Sequence, residues 1–449
     1  MKRIALIGEN SVEYINILID IWNSGNCAVL IDCQIPPQTA VEMMHEAQVR
    51  KCYIEYKYYD KIYAVLDKKV ELIPYEKENT SARLLPTETY DRFQENYSKD
   101  EAVVIYSSGT TGKSKGIILS HFAINTNADA IIDYMQPDDS DRMYIVKNLT
   151  HSSSITGELL IALKTKMALL IAPVVVPPRY VLENVVKYGV TIIGVNPPLL
   201  AMYCKECESK KYDLSTLKKI YISGALLNDK IYETAHKVFQ GQEIYNAYGL
   251  SEAGPRVTAQ RRDCSKGNSV GKVIKGVELI IVDESGNVVP NGERGIVHIN
   301  TPSRFNGYIQ GEIKHKSLYQ DWLNAGDIGY LDGYNELHVI GRIDDMIVIG
   351  AHKIYPAEVE RLIQAAADVY ECVVALVDIQ GEDVLCCLYA SNEEMRADIK
   401  NILGTGLMKY EIPKLFVRTG AIPKTRNGKI SSKGVKETIK RELEGRNNV

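Results

Sequence analysis

Residues 107–116, "SSGTTGKSKG", crowd glycines, hydroxyl side chains and lysines together directly after the apolar run "AVVIY" (102–106). That is chemistry for holding a polyphosphate. Glycines let the backbone turn its N–H groups inward, and hydroxyls add further donors. A Walker loop requires G-x-x-x-x-G-K-[ST]. Counting back from Gly112, Lys113 and Ser114, its leading glycine falls on position 107, which is serine. The run "IILSH" after Gly116 also reads as a strand, where a Walker loop needs a helix. A phosphate loop of another kind is the better reading, built from Ser107, Ser108, Gly109, Thr110, Thr111 and Gly112, with Lys115 as a nearby cation. A polar surface turn does not explain so many donors set against a buried strand.

Three further segments follow in order: "YNAYGLSEAG" (245–254), "NAGDIGYLDGYNELHVIGRIDD" (324–345) and "IPKTRNGKI" (422–430). Singly, each has a plain structural reading: a strand and turn with an exposed Glu252, ion-paired acids around Asp327, a turn lysine at Lys429. Together with "YSSGTTGKSKG" they resemble the adenylate-forming superfamily of acyl-CoA synthetases, nonribosomal peptide synthetase adenylation domains and luciferases. The resemblance runs over nearly the whole chain. It implies that a carboxylate attacks the α-phosphate of Mg-ATP, releasing pyrophosphate, and that a thiol then takes the acyl group from the adenylate.

The resemblance also implies roles for single residues. The glycine-hydroxyl loop holds the β- and γ-phosphates; Ser114 stands where the family usually has proline. Asn246, Ala247, Tyr248 and Gly249, with Gly224 and Ala225, belong to the AMP site, and Tyr248 offers a ring on which adenine stacks. Ser251 donates to the α-phosphate, where threonine is more common, and Glu252 supplies a hard oxygen for Mg2+. Asp327 is suited to accept both ribose hydroxyls. Arg342 reaches ribose or phosphate as a permanent cation, and Asp344 matches the hinge. Lys429 brings an ammonium to the charge that builds between carboxylate and phosphorus.

"NLTHSSSITGELLIAL" (148–163) resembles the segment that separates substrate classes. Amino-acid-activating members generally carry an aspartate there, to pair with the substrate ammonium. Here His151 takes the aligned place, which favours a small carboxylic acid lacking an α-amine. His151, also expected among the catalytic residues with Ser251, Glu252 and Lys429, lines the expected pocket with Val195, Asn196, Gly224 and Gly249. The acceptor is expected to be CoA, or else the phosphopantetheine arm of an acyl or peptidyl carrier protein, as for a free-standing adenylation enzyme. A P-loop NTPase and a non-catalytic nucleotide-binding descendant are the competing classes. Typical members also carry more residues ahead of their "IALIGENS"-like segment.

These residues need a scaffold to position them. Short β-branched runs such as "RIALIG" and "CAVLID" alternate with helical periodicity, which points to βαβ units and buried parallel sheet. After about 265, period-two strands with Glu-Ser-Gly-Asn and Asn-Gly turns read as antiparallel. The expected fold is α/β: a large multi-subdomain body (1–341, sheets plus a small β-barrel-like part), then a small mobile α+β lid (342–449). The 449 residues carry 45% hydrophobic and 24% charged side chains with a net charge of −4. That balance gives no basic field for nucleic acid. The longest apolar run, "MALLIAPVVVPP" (167–178), is too short for a membrane span. Nine cysteines and no signal-like start read as reduced thiols in the cytoplasm. Cys204 and Cys207 in "CKEC" have no second ligand pair, so they read as helix-borne thiols.

Overall fold

A computed structural model describes all residues except 68, 79–81, 109–113, 174–175, 263, 265–266, 268, 311, 314, 350–351, 365–368, 425–429 and 448–449. The chain divides into two compact units. The first is Met1–Leu227, Thr234–Ala325 and Tyr330–His338; the second is Asn228–Glu233, Gly326–Gly329 and Val339–Val449.

Two large sheets build the first unit. One has seven strands, ordered Gly307–Tyr308, Ser114–Ser120, Glu101–Ser108, Cys27–Asp32, Arg3–Gly8, Lys51–Glu55 and Glu71–Tyr75. Its centre is parallel, Arg3–Gly8 lying between Cys27–Asp32 and Lys51–Glu55. "CAVLID" is apolar almost throughout because both faces of a central parallel strand are covered. The connecting helix Val12–Asn23 starts where Ser11 accepts a hydrogen bond from the Tyr14 amide. Its Ile15, Leu18, Ile19 and Trp22 are buried, a helical face turned to the sheet. As expected, the segment from Ser114 onward is a strand, Ser114–Ser120, and not a helix.

The second sheet has eight strands, with Arg142–Ile145, Ile192–Val195, Lys219–Ile222 and Glu243–Tyr248 parallel at its centre. Cys204 and Cys207 both lie on the helix Pro197–Ser209 and form no disulfide, the helix-borne arrangement expected of them. The antiparallel writing after 265 is also realised: Glu278–Val282 pairs with Gly295–Asn300 in antiparallel register.

In the second unit, Glu371–Ile379, Glu382–Ala390 and Leu415–Thr419 form a three-stranded sheet. One face packs against Val359, Ile363, Ile399 and Leu403 of the helices Pro356–Gln364 and Arg396–Gly406. The other covers Val435 and Ile439 of the helix Ser432–Asn447. The fold is thus the expected α/β class.

Candidate active site

In an open α/β sheet, ligands gather beyond the carboxyl ends of the strands. The eight-stranded sheet aligns three such ends. Val195 pairs with Ile222, and Ile222 with Asn246, so the segments that follow each strand leave the sheet side by side. They are the predicted residues: Asn196 after the first strand, Gly224 and Ala225 after the second, and Tyr248 and Gly249 at the end of the third. Asn196 caps its helix by accepting from the Leu199 amide at 2.9 Å, which fixes where the strand ends.

The glycine after Tyr248 is sterically required. A Cβ on Gly249 would stand 1.8 Å from the Pro255 carbonyl oxygen. The chain doubles back there through the short 3-10 turn Ser251–Ala253, and Gly254 closes it at φ +80°. This tight return presents Ser251 and Glu252 together. The Ser251 and Ser152 hydroxyls lie 2.7 Å apart. One proton is used between them, which leaves a second O–H to donate elsewhere. Glu252 Oε1 accepts the Tyr308 hydroxyl at 2.8 Å, and its backbone oxygen accepts the Phe305 amide. Lys115 Nζ lies 4.8 Å from the centre of the Tyr308 ring. Gly307 and Tyr308 pair with Ile118 and Ile117. Pairing with the strand Ser114–Ser120 therefore places the tyrosine that donates to Glu252.

Beneath this lies a buried ionic group. Asn10 clamps the segment after Arg142–Ile145, donating to the Lys147 carbonyl and accepting from the Leu149 amide. Lys147 Nζ then meets Glu158 Oε1 at 2.9 Å, both side chains nearly inaccessible. Glu158 sits on a π-helical turn, Ile155–Leu159, between helical pieces Ser152–Ser154 and Leu160–Thr165. Such turns often mark functional sites. Burial pushes the Glu158 carboxyl up, while Lys147, Arg256 and Ser154 pull it back. Arg256 is only 4% exposed.

Other predicted residues fall as follows. Asn246 is buried, its amide donating to the Ser269 carbonyl, and Ala247 pairs with Ala259 within the sheet. The His151 side chain is exposed, while its backbone starts the helical turn Ser152–Ser154. Ser107 and Ser108 end the strand Glu101–Ser108, paired with Lys115 and Ser114. In the second unit, Arg342 Nε lies 3.3 Å from Asp327 Oδ1, and Asp327 is 5% exposed. Asp344 belongs to the short turn Ile343–Asp345. Gly109, Thr110, Thr111, Gly112 and Lys429 lie outside the described residues. Sequence reasoning missed Ser152, Tyr308, Lys147, Glu158 and Arg256. "HSSS" and the arginine inside "AGPRVT" were the available signals for two of them.

A family model for AMP-binding enzymes matches residues 1–309. The chain belongs to that family. The resemblance read from the four motifs is therefore borne out. Within the family it is 26% identical over 360 residues to 4-coumarate–CoA ligase 4 of Arabidopsis thaliana, covering 76% of this chain and 62% of that protein. It is 29% identical over 357 residues to 4-coumarate–CoA ligase 2 of Nicotiana tabacum, covering 76% and 66%. The matched region thus spans less than two thirds of these relatives' length. Among solved structures, ATP-bound MatB from Rhodopseudomonas palustris superposes with a TM-score of 0.85 at 21% identity, covering 98% of this chain and 89% of that one. The o-succinylbenzoate CoA synthetase of Bacillus subtilis, bound to its acyl-adenylate, gives 0.80 at 21% identity, covering 98% and 88%. These likenesses establish the AMP-binding enzyme fold. No helix among the described residues is long and apolar enough to cross a membrane.

Proposed function

We propose that this AMP-binding enzyme activates a small carboxylic acid with ATP, giving an acyl-adenylate and pyrophosphate, and passes the acyl group to the thiol of CoA. The observation that carries the reading is the joined array Lys115–Tyr308–Glu252 beside Ser152–Ser251, at the carboxyl ends of the central strands. A substrate carboxylate oxygen forms a bond to the α-phosphorus as the bond to the pyrophosphate oxygen breaks. The Ser152–Ser251 pair has one proton to donate to an α-phosphate oxygen. Tyr308 engages one oxygen of Glu252 and holds the carboxylate in place. The other oxygen fits Mg2+, an ion that takes few carboxylates and keeps its waters. When bound, Mg2+ would neutralise charge on the phosphates. Lys429 is the residue for the charge that builds between acid and nucleotide.

CoA is favoured as acceptor because the relatives' names are those of CoA ligases; the same thiol on a carrier protein's phosphopantetheine is the other acceptor that fits. The test is acid-dependent exchange of pyrophosphate into ATP over a panel of aliphatic, aryl and amino acids. Exchange with at least one acid lacking an α-amine is expected. Silence across the panel, or exchange with amino acids alone, would contradict the proposal. Lys429→Ala should abolish exchange yet leave thioester formation from preformed acyl-AMP largely intact; equal loss of both removes the role given to Lys429.

A further inference from the structure

The group Lys147, Glu158 and Arg256 holds two cations and one anion in the interior of the first unit. Lys147 Nζ lies 2.9 Å from Glu158 Oε1 as an ion pair, although neither buried Glu158 oxygen has a well-aligned hydrogen bond among the described residues. Arg256 acts on the same carboxylate through space, but its buried Nη1 has no hydrogen-bond partner among the described residues. Only its backbone is held, by reciprocal bonds with the Asn127 side chain at 2.8 and 3.2 Å. A guanidinium withdrawn from water without an acceptor is costly, and it persists where something supplies one.

The surroundings say where that acceptor comes from. A Cβ on Gly157 would lie 3.2 Å from Arg256 Nη2. On Gly194, the residue before Val195, it would lie 2.1 Å from Glu158 Oε1. On Gly249 it would lie 3.0 Å from Arg256 Cα. Two of these glycines sit beside or among the expected pocket residues, and the third lies on the π-turn six residues after His151. The ionic group therefore packs against the segments expected to line the space for the acid. Lys147 and Arg256 both act on Glu158, so a substrate ammonium would be a third cation on one carboxylate. One positive charge is left over, on Arg256.

We infer that the acid activated here carries a second carboxylate, and that Arg256 receives it while the Lys147–Glu158 pair fixes the floor beneath. This rests on the proposed adenylation and narrows its substrate class to dicarboxylic acids. Arg256 is then a specificity-determining residue and takes no part in the bond changes.

The experiment compares matched acids of equal length in the pyrophosphate exchange assay: butyrate with succinate, hexanoate with adipate, benzoate with phthalate. At least one diacid should exceed its monoacid partner by about 10-fold or more in kcat/KM, the scale of a charge-assisted hydrogen bond. Arg256→Met should remove that preference through the KM for the diacid, with the KM for ATP moving less than about twofold. Arg256→Lys should retain part of it, and serves if Arg256→Met does not fold. Wild-type enzyme that uses every monoacid as well as its diacid, or a preference that survives Arg256→Met, overturns the inference while leaving adenylation standing. No exchange with any acid removes the adenylation reading and this inference with it.

Discussion

At the level of single residues, Glu252 and its partner Tyr308 matter most to the proposed chemistry. Glu252→Gln keeps the shape and the bond from Tyr308 but removes the charge. Acid-dependent exchange should fall by about 100-fold or more, as when one preorganised electrostatic group is lost, with an unchanged melting temperature. Tyr308→Phe removes one hydrogen bond and should cost only about 3–10-fold; both are read from initial rates at saturating acid. Glu252 was legible in the sequence because the motif "YGLSEAG" is contiguous. Tyr308 was not, since it stands 56 positions further on and only the pairing of Gly307–Tyr308 with the strand Ser114–Ser120 brings it near. Arg256 lay within plain sight but reads as an ordinary surface arginine until its burial is known.

At the element scale, backbone approach and burial decide the outcome. Gly249→Ala forces a methyl against the Pro255 carbonyl. It should destabilise the protein by about 1–3 kcal/mol, the range for overpacking, and be seen as a lowered denaturant midpoint together with lost exchange activity. In the second unit, burial raises the Glu360 carboxyl to about 7 from an ordinary 4.5, helped by Asp345 and opposed by the Val374 amide. The folded state thus holds the proton more tightly than the unfolded chain. The stability tied to that proton is full below pH 4.5 and is lost as pH rises through 7. Glu360→Gln still accepts the bond from the Val374 amide, 2.8 Å in the parent. It should be as stable as the parent at pH 4.5 and more stable at pH 8, by up to about 3 kcal/mol, in denaturant titrations at the two pH values. The strands of both central sheets were legible because β-branched runs alternate with helical periodicity. The π-turn Ile155–Leu159 was not: its apolar spacing differs too little from an α-helix to be read, yet it is what carries Glu158 to Lys147.

At the scale of the whole molecule, order along the chain was the strongest signal. Four short motifs in sequence named a superfamily before any contact was known, and the match to AMP-binding enzymes over residues 1–309 agrees. Substrate class was less legible, because it depends on which charges the fold leaves unanswered. His151, named by the resemblance, is exposed, whereas the ionic group of Lys147, Glu158 and Arg256 comes from three segments that meet only in the folded chain. The central claim is that an oxygen of the acid becomes bonded to the α-phosphorus of ATP. It is tested most directly with an exchange-active acid labelled with 18O in its carboxylate, turned over with ATP and CoA, followed by mass analysis of the nucleotide and phosphate products. AMP carrying one labelled oxygen, with unlabelled pyrophosphate, is the expected result. ADP with label in inorganic phosphate, or AMP without label, would contradict it.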